Sequence, residues 1–557
     1  MPEAEPNNPR EAEEVRTLME AVWSGETPPD PKYYPYFVPG YKHLFTHIGT
    51  EKQLFIDNYV IDWLDGVKRN ILIPEKKFLI PWTDLPWEQE AAANICSGAV
   101  RDPEDGLYKM WYRQPTNSNP GHMIQGEVLC YAESSDGLNW KKPLRSDCHP
   151  YGSETKTNIV LQDFTNGMVV LNVSPDHREF KYLAVFSSQE ESKRRGVSVM
   201  SRVAGSRDGI KWQMISDDSP FRHHHHPQIF WDESISRWVA FSQYSHAFRS
   251  FKHRRTIGRQ ESADFIKWSP KQIVLSAEWD SQLPPNIELH DASVRKIGGL
   301  YIAIVGEAHT EPAVYRTGRD GRVNMHDVFH TKMALYSSRD GKQFFRAAGT
   351  AGAPWVDNGI PGSQDYGYAC HTCAGMMVSA GKMIIPYSAF PHKQRSQRSG
   401  PLLPKGSADR HQELLDEITQ YGVGNPGYMP QQRGRILQRA IGGLILGEDR
   451  WAELIPTYEQ GRVYTTQLVF AGNQLRINAR CDYGIVRVEL LDPEFKPYDK
   501  FSAGDCVPVH SRVPDRVWHE VRWKDDPDLR MLWNKPIRLC FHLAEASLYG
   551  FQFHNEA

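Results

Sequence analysis

Ser135-Asp136-Gly137-Leu138-Asn139-Trp140, Ser206-Arg207-Asp208-Gly209-Ile210-Lys211-Trp212, Ser262-Ala263-Asp264-Phe265-Ile266-Lys267-Trp268 and Ser338-Arg339-Asp340-Gly341-Lys342-Gln343-Phe344-Phe345 repeat one phrase four times. Each is a tight polar turn closed by an aromatic residue and set beside a β-rich run. Asp-Gly turns occur in any β protein, so a single one carries little. Four of them, roughly every 55 to 75 residues, give the period of a four-stranded propeller blade with loop insertions. The third has Phe265 where the others have glycine.

Each turn belongs to a repeated syntax of apolar run, turn, aromatic-rich run. The first copy is Asn94-Ile95-Cys96-Ser97-Gly98-Ala99-Val100 followed by Leu107-Tyr108-Lys109-Met110-Trp111-Tyr112. Met168-Val169-Val170-Leu171, Pro227-Gln228-Ile229-Phe230-Trp231-Asp232, His290-Asp291-Ala292-Ser293-Val294 and His371-Thr372-Cys373-Ala374-Gly375-Met376-Met377-Val378 open four more. Five copies predict an all-β chain: a five-bladed β-propeller over residues 46–454. Residues 391–432, basic and rich in Gln, Ser, Gly and Pro, interrupt the rhythm as an insertion, with a lid over the site as the bolder reading. From about 455 the runs alternate, as in Gln474-Leu475-Arg476-Ile477-Asn478-Ala479 and Ile485-Val486-Arg487-Val488-Glu489-Leu490, which predicts a β-sandwich over 455–557. Residues 1–45 form an N-terminal segment, with Ala12, Val15, Leu18, Met19 and Val22 on one helical face before Pro28, Pro29, Pro31 and Pro35 end it.

Bulk composition narrows the function. A net charge of −3 on 557 residues argues against a nucleic-acid partner reached by electrostatics. Aromatic residues, 11% of the chain, suit both blade packing and stacking on sugars. The eight cysteines have no disulfide or zinc-ribbon rhythm; Cys370-His371-Thr372-Cys373 is the one close pair. No run is apolar enough to cross a bilayer, and the acidic start Met1-Pro2-Glu3-Ala4-Glu5 lacks the order of a secretory signal, so the expectation is a cytoplasmic protein without a membrane partner.

The blade phrase Asp102-Pro103-Glu104-Asp105-Gly106-Leu107-Tyr108-Lys109-Met110-Trp111-Tyr112, the Ser-x-Asp-Gly-x-x-Trp turns and the closing Lys535-Pro536-Ile537-Arg538-Leu539 and Leu548-Tyr549-Gly550-Phe551 resemble one known group. These are the five-bladed propeller glycoside hydrolase-like proteins related to glycoside hydrolase families thirty-two and forty-three. The resemblance implies an axial funnel into which acids project from the starts of innermost strands: a nucleophile or base, a transition-state stabiliser and a general acid. Arg101-Asp102-Pro103 is similar to the Arg-Asp-Pro of the fructosidases, but Asp176 and Asp232 hold like places in their blades, so this aspartate reads as a turn former.

Counting back from the second strand of each blade places Glu90, Glu288, Asp291 and Asp365 near the funnel, as candidate catalytic carboxyl groups. His226, His290 and His371 fall at nearly one level in three blades, where they could hold one divalent metal ion of open identity; no organic cofactor is expected. His224 shares a strand face with His226, and together with Arg254 and Arg255 it is a candidate for binding substrate, the arginines suiting a uronate or sulfate. Three readings follow. The first is a glycoside hydrolase acting on an oligosaccharide or glycoside. The second is a metal-dependent lyase or sugar-modifying enzyme, in which the ion lowers the pKa of a C–H beside a uronate. The third is a non-catalytic glycan-binding propeller. Homo-oligomerisation through sandwich edges stays open.

Overall fold

The computed structural model describes residues 45–557 except 82–83, 90–94, 116–126, 197–199, 220, 222–223, 248–252, 281–282, 284–286, 311–313, 318–322, 348–351, 361–362, 371–374, 392–393, 400–439, 511–515 and 556–557. The helix expected within 1–45 and most of the 391–432 insertion therefore lie outside the described residues.

Each copy of the repeat folds as an antiparallel meander in chain order. Ile95–Arg101, Tyr108–Pro115, Glu127–Ser134 and Ile159–Leu161 form the first sheet, and Thr165–Leu171, Tyr182–Ser188, Met200–Ser206 and Gln213–Ser219 the second. His224–Asp232, Arg237–Ala247, His253–Ser262 and Gln272–Leu275 form the third. An eleven-stranded sheet contains the next two copies, joined through one parallel pair, Thr331 with Tyr368. In the fourth, Ile287–Ile297, Leu300–Thr310, Val323–Ser338 and Phe345–Arg346 pair in order. In the fifth, Met377–Ser379, Lys382–Phe390 and Ala440–Gly447 are completed by Glu75–Ile80, a strand that precedes the first sheet in sequence.

First strands of successive sheets lie side by side, from Ile95–Arg101 to Thr165–Leu171 to His224–Asp232 to Ile287–Ile297, and Met377–Ser379 returns to Ile95–Arg101. This is the ring of a β-propeller. Two glycines permit the close approach: a Cβ at Gly98 would sit 2.5 Å from the Val169 carbonyl oxygen, and one at Gly375 1.8 Å from that of Ala99.

The repeated turns connect third strands to fourth strands. In each, the aspartate side chain accepts from the second and third following backbone N–H groups: Leu138 and Asn139 on Asp136, both 2.8 Å, and Ile210 and Lys211 on Asp208, both 2.8 Å. Asp264 and Asp340 repeat this. The serine that bonds the aspartate lies two residues before it, so in the first turn it is Ser134, not Ser135. Glycine follows because the backbone is left-handed there (φ +79° at Gly209) and side chains crowd the position, Trp111 of the first sheet at Gly209 and Tyr301 at Gly341. Phe265 takes the same conformation with φ 63°, its ring buried against Trp238 and Trp268, so apolar burial offsets the backbone cost.

Two further sheets face each other in a sandwich whose core includes Phe55, Leu475, Val488, Phe541 and Phe551. Residues 46–71, assigned by the sequence to the start of the propeller, hydrogen-bond into this unit. Val67–Ile71 pairs with Ala452–Pro456, Ile61–Asp65 with Gln460–Thr465, Gln53–Leu54 with Ser547–His554, and Thr46–Gly49 runs parallel to Leu468–Phe470. The local alternation of such short strands says which face is buried, not which distant strand is the partner. The sandwich is braced to the propeller by Arg339 on Asp57 (2.8 Å), Lys52 on Asp449 (2.6 Å), and Leu54 and Ile56 packed against Leu300 and Ile302.

Candidate functional site at the starts of the inner strands

Every one of the first four inner strands carries a register shift near its N-terminal end: between Cys96 and Gly98, Thr165 and Met168, His224 and Gln228, and Leu289 and Asp291. Such bulges break the strict two-residue alternation and re-aim side chains. The expectation that His224 and His226 share a face rested on that alternation, and the register of this strand slips within that stretch: His224 pairs with Gln243, whereas Gln228 pairs with Phe241. The backbone is further bent around the start of the second inner strand, where Asp163 (φ 51°) and Asn166 (φ 47°) are both left-handed.

On the fourth inner strand the shift leaves His290 out of register. Leu289 pairs with Glu307 and Asp291 with Gly306. Glu288 is thereby brought beside Arg255 of the third sheet, and Asp291 lies beside His290. The Arg255 Nε lies 3.5 Å from Glu288 Oε2, both side chains 13% exposed. His290 is buried, its Nδ1 3.5 Å from Asp291 Oδ1, and its carbonyl accepts a 2.6 Å hydrogen bond from Gln243 Nε2. Burial, reinforced by the nearby Arg255 charge, lowers the His290 pKa well below the usual histidine value, so the ring is neutral at physiological pH.

The strand that pairs with this one supplies groups the sequence reading missed. Glu307 is buried; its Oε1 accepts from Tyr336 Oη at 3.0 Å and from the Arg346 guanidinium, which also bonds Asp280 at 2.9 Å. Burial raises the Glu307 pKa above the usual carboxyl value against the pull of Arg346. His309 Nε2 lies 3.9 Å from Glu307 Oε2, and its ring stacks on His330 at 5.2 Å. Burial, with the His330 ring beside it, lowers its pKa to about 4. The turn at Gly298–Gly299 fixes the hairpin register only as far as Asp291 opposite Gly306; the bulge at His290 is what sets Glu307 and His309 opposite Leu289 and Ile287.

A second polar cluster lies between the first two sheets. Arg113 Nη1 sits 3.1 Å from Glu127 Oε2 and 2.5 Å from Asn166 Oδ1, with Asp163 bonded by the Ser188 hydroxyl. Burial raises the Glu127 pKa, partly offset by Arg113.

Other carboxylates are committed to holding sheets together. Asp102 is fully buried and accepts from Lys109 (2.5 Å), Lys181 (3.0 Å) and the Tyr182 hydroxyl, the last two from the next sheet. Asp232 repeats the arrangement with Lys296 and Tyr301 of the fourth sheet. Glu88 is held by Tyr112 Oη and Lys142, each at 2.8 Å. Asp365 is likewise engaged: it is buried, 2.7 Å from Lys76 on the closing strand, and bonded by Tyr387 Oη at 3.2 Å and Ser363 Oγ at 3.0 Å. Thus, of the residues expected at the site, Arg255, Glu288, His290 and Asp291 come together. Asp365 is given sheet-bracing partners. Glu90, His371 and the side chains of His224, His226 and Arg254 lie outside the described residues. Among the described residues no helix is long and apolar enough to cross a membrane.

No protein-family model matches the chain, and no curated protein matches it. Solved structures of similar fold include a glycoside hydrolase at 12% identity and TM-score 0.41, over 68% of this chain and 94% of that one. An N-acetylgalactosamine deacetylase from F. plautii, solved with blood group B trisaccharide, is 17% identical at TM-score 0.38, over 58% and 86%. A β-fructofuranosidase from Schwanniomyces occidentalis, solved with fructosyl-erythritol, is 10% identical at TM-score 0.36, over 86% and 96%.

Proposed function

We propose that this chain is a carbohydrate-active enzyme, a glycoside hydrolase working where the first strands of the third and fourth sheets begin. The observation that carries the reading is the gathering of Arg255, Glu288, His290 and Asp291 at one bulged strand start. Ionisable groups withdrawn from water cost stability, and such arrangements concentrate at functional sites. Cleaving a glycosidic bond takes two carboxyl groups, one giving a proton to the leaving oxygen and one acting as base or nucleophile. Glu288 and Asp291 are the pair assigned here, with Arg255 a positioning residue for Glu288. Glu90 stays a candidate third acid, with Arg254 and His224 candidate sugar contacts, and Asp365 is assigned to bracing the fifth sheet.

The test is hydrolysis of an aryl-glycoside and oligosaccharide panel by wild type, Glu288→Gln and Asp291→Asn, with folding checked by circular dichroism. Loss of roughly 10²–10⁴-fold in kcat/KM in both folded variants is expected, and the missing limb of the pH–rate profile identifies which group donates the proton. Unchanged turnover in either variant removes that residue from the pair.

A second reading, the metal-dependent lyase or sugar-modifying enzyme, draws on His290. A neutral buried imidazole beside a carboxylate suits a borderline divalent cation, with His226 and His371 as the other ligands. Metal content that falls in both His290→Ala and His371→Ala, with activity on uronate-containing glycans, would favour it over hydrolysis.

A further inference from the structure

Far from the inner strands, the sandwich sheet built on Arg538–Ala544 places a thiol, an imidazole and a carboxylate together. Cys540 and His542 are two residues apart on that strand, so they share a face, and Glu489 is the direct cross-strand partner of Cys540. Their ligand atoms all lie within 4.8 Å of one another. The Cys540 Sγ is 3.5 Å from His542 Nε2, and that nitrogen is 2.8 Å from Glu489 Oε1.

We propose that Glu489, Cys540 and His542 form a zinc site on the sandwich, with water as the fourth ligand. The argument is geometric. Zn–S near 2.3 Å and Zn–N near 2.05 Å at a tetrahedral angle place sulfur and nitrogen about 3.5 Å apart, the separation already present. The corresponding nitrogen–oxygen edge is about 3.3 Å, so Glu489 must withdraw by about half an ångström. The carboxylate is also oriented from behind, since its other oxygen accepts from the Ala503 N–H at 3.3 Å, the kind of outer contact that fixes a ligand.

Access and charge agree with the assignment. The Cys540 side chain is buried, whereas Glu489 is 14% and His542 31% exposed, leaving an approach from solvent. Two arginines flank His542 in the sheet: Arg462 is paired with Asp65 at 2.7 Å, and Arg487 donates to the Ala503 and Cys506 carbonyls. Binding deprotonates Cys540, replacing S–H by S–Zn and releasing one proton to solvent. The two ligand strands are already paired, so the ion clamps existing structure.

Cobalt(II) titration of the full-length protein tests this, because cobalt bound to a thiolate has a charge-transfer absorption that cobalt bound to histidine alone lacks. Wild type is expected to saturate that band at one equivalent and to lose it when zinc is added. Cys540→Ser should abolish it, and His542→Gln should weaken affinity beyond the roughly 10–100-fold that loss of an outer-shell partner costs. Cobalt bound without the band, or a band unchanged in folded Cys540→Ser, overturns the proposal. Neither variant touches Glu288 or Asp291, so glycosidase activity reports separately on that site.

Discussion

Asp102 stands in the Arg101-Asp102-Pro103 segment that resembles a catalytic motif, yet its surroundings make it a staple between the first and second sheets, and replacing it separates the two roles. In Asp102→Asn the shape is kept and the charge removed. Three bonds to cationic or hydroxyl donors then lose their ionised acceptor: Lys109, Lys181 and Tyr182. Removing one partner of a buried ion pair costs about 3–5 kcal/mol because the other charge stays behind. Here Lys109 retains Asp105 at 2.7 Å and Lys181 retains Glu104 at 2.6 Å, which favours the lower end, about 3 kcal/mol. With an unfolding entropy of about 2.1 cal/mol/K per residue over roughly 370 residues of propeller, the melting temperature falls by about 4 °C.

The pH dependence carries a sign. Burial pulls the Asp102 carboxyl upward, but Lys109, Tyr182, the Glu104 N–H and Lys181 outweigh it and hold the pKa well below the usual carboxylate range. A depressed carboxyl stabilises above its unfolded pKa, near 3.9, and loses that contribution only as pH falls through the folded value. The gap between wild type and Asp102→Asn should therefore be constant from pH 7 to about 5 and narrow below about 4. Calorimetry across this range measures it, alongside turnover per folded molecule. A variant that melts like wild type but loses more than about 100-fold in turnover refutes the structural assignment and makes Asp102 a catalytic group.

Three other outcomes follow from the same packing. Gly209→Ala adds a Cβ at a left-handed φ of +79° and only 2.5 Å from Trp111, so it should destabilise by about 2–3 kcal/mol, read by urea unfolding, whereas Gly152→Ala, at φ +58° with nothing within 4 Å of its Cβ, should show the backbone cost alone. His309, neutral in the fold with a pKa of about 4, binds its proton mainly when unfolded between pH 6.5 and 4, so stability drops on acidification; His309→Gln should reduce the loss between pH 7 and 5 by about 2 kcal/mol. Deleting residues 1–74 should leave the sandwich unable to fold, seen as loss of its cooperative transition, because four of its strand pairings come from 46–71. A separate sandwich transition in the shortened chain would contradict this.

How much of this was legible from residues alone depended on how local the cause was. The four Ser-x-Asp turns were readable because the aspartate bonds backbone two and three positions ahead, and the glycine or Phe265 answers a left-handed backbone at one residue. The meander order and the alternating sandwich strands followed from spacing and period in the same way. Glu288, His290 and Asp291 could be placed at an inner-strand start because the hairpin around 298 sets the count, whereas the pairing of Glu307 and His309 lies beyond the bulge at His290, which that count does not contain.

Other features needed the folded chain. A bulge shifts side-chain facing without a mark in composition, and one lies between His224 and Gln228. Pairing partners hundreds of residues apart, such as Lys76 with Asp365 or Asp57 with Arg339, join segments whose own patterns are complete without each other. The sequence by itself determined what closes locally: turns, strand periodicity and the repeat that makes a ring. Only the tertiary structure decided which strands close that ring, which acids are consumed in bracing it and which sit beside Arg255, because those outcomes depend on distances between sheets that no local pattern encodes.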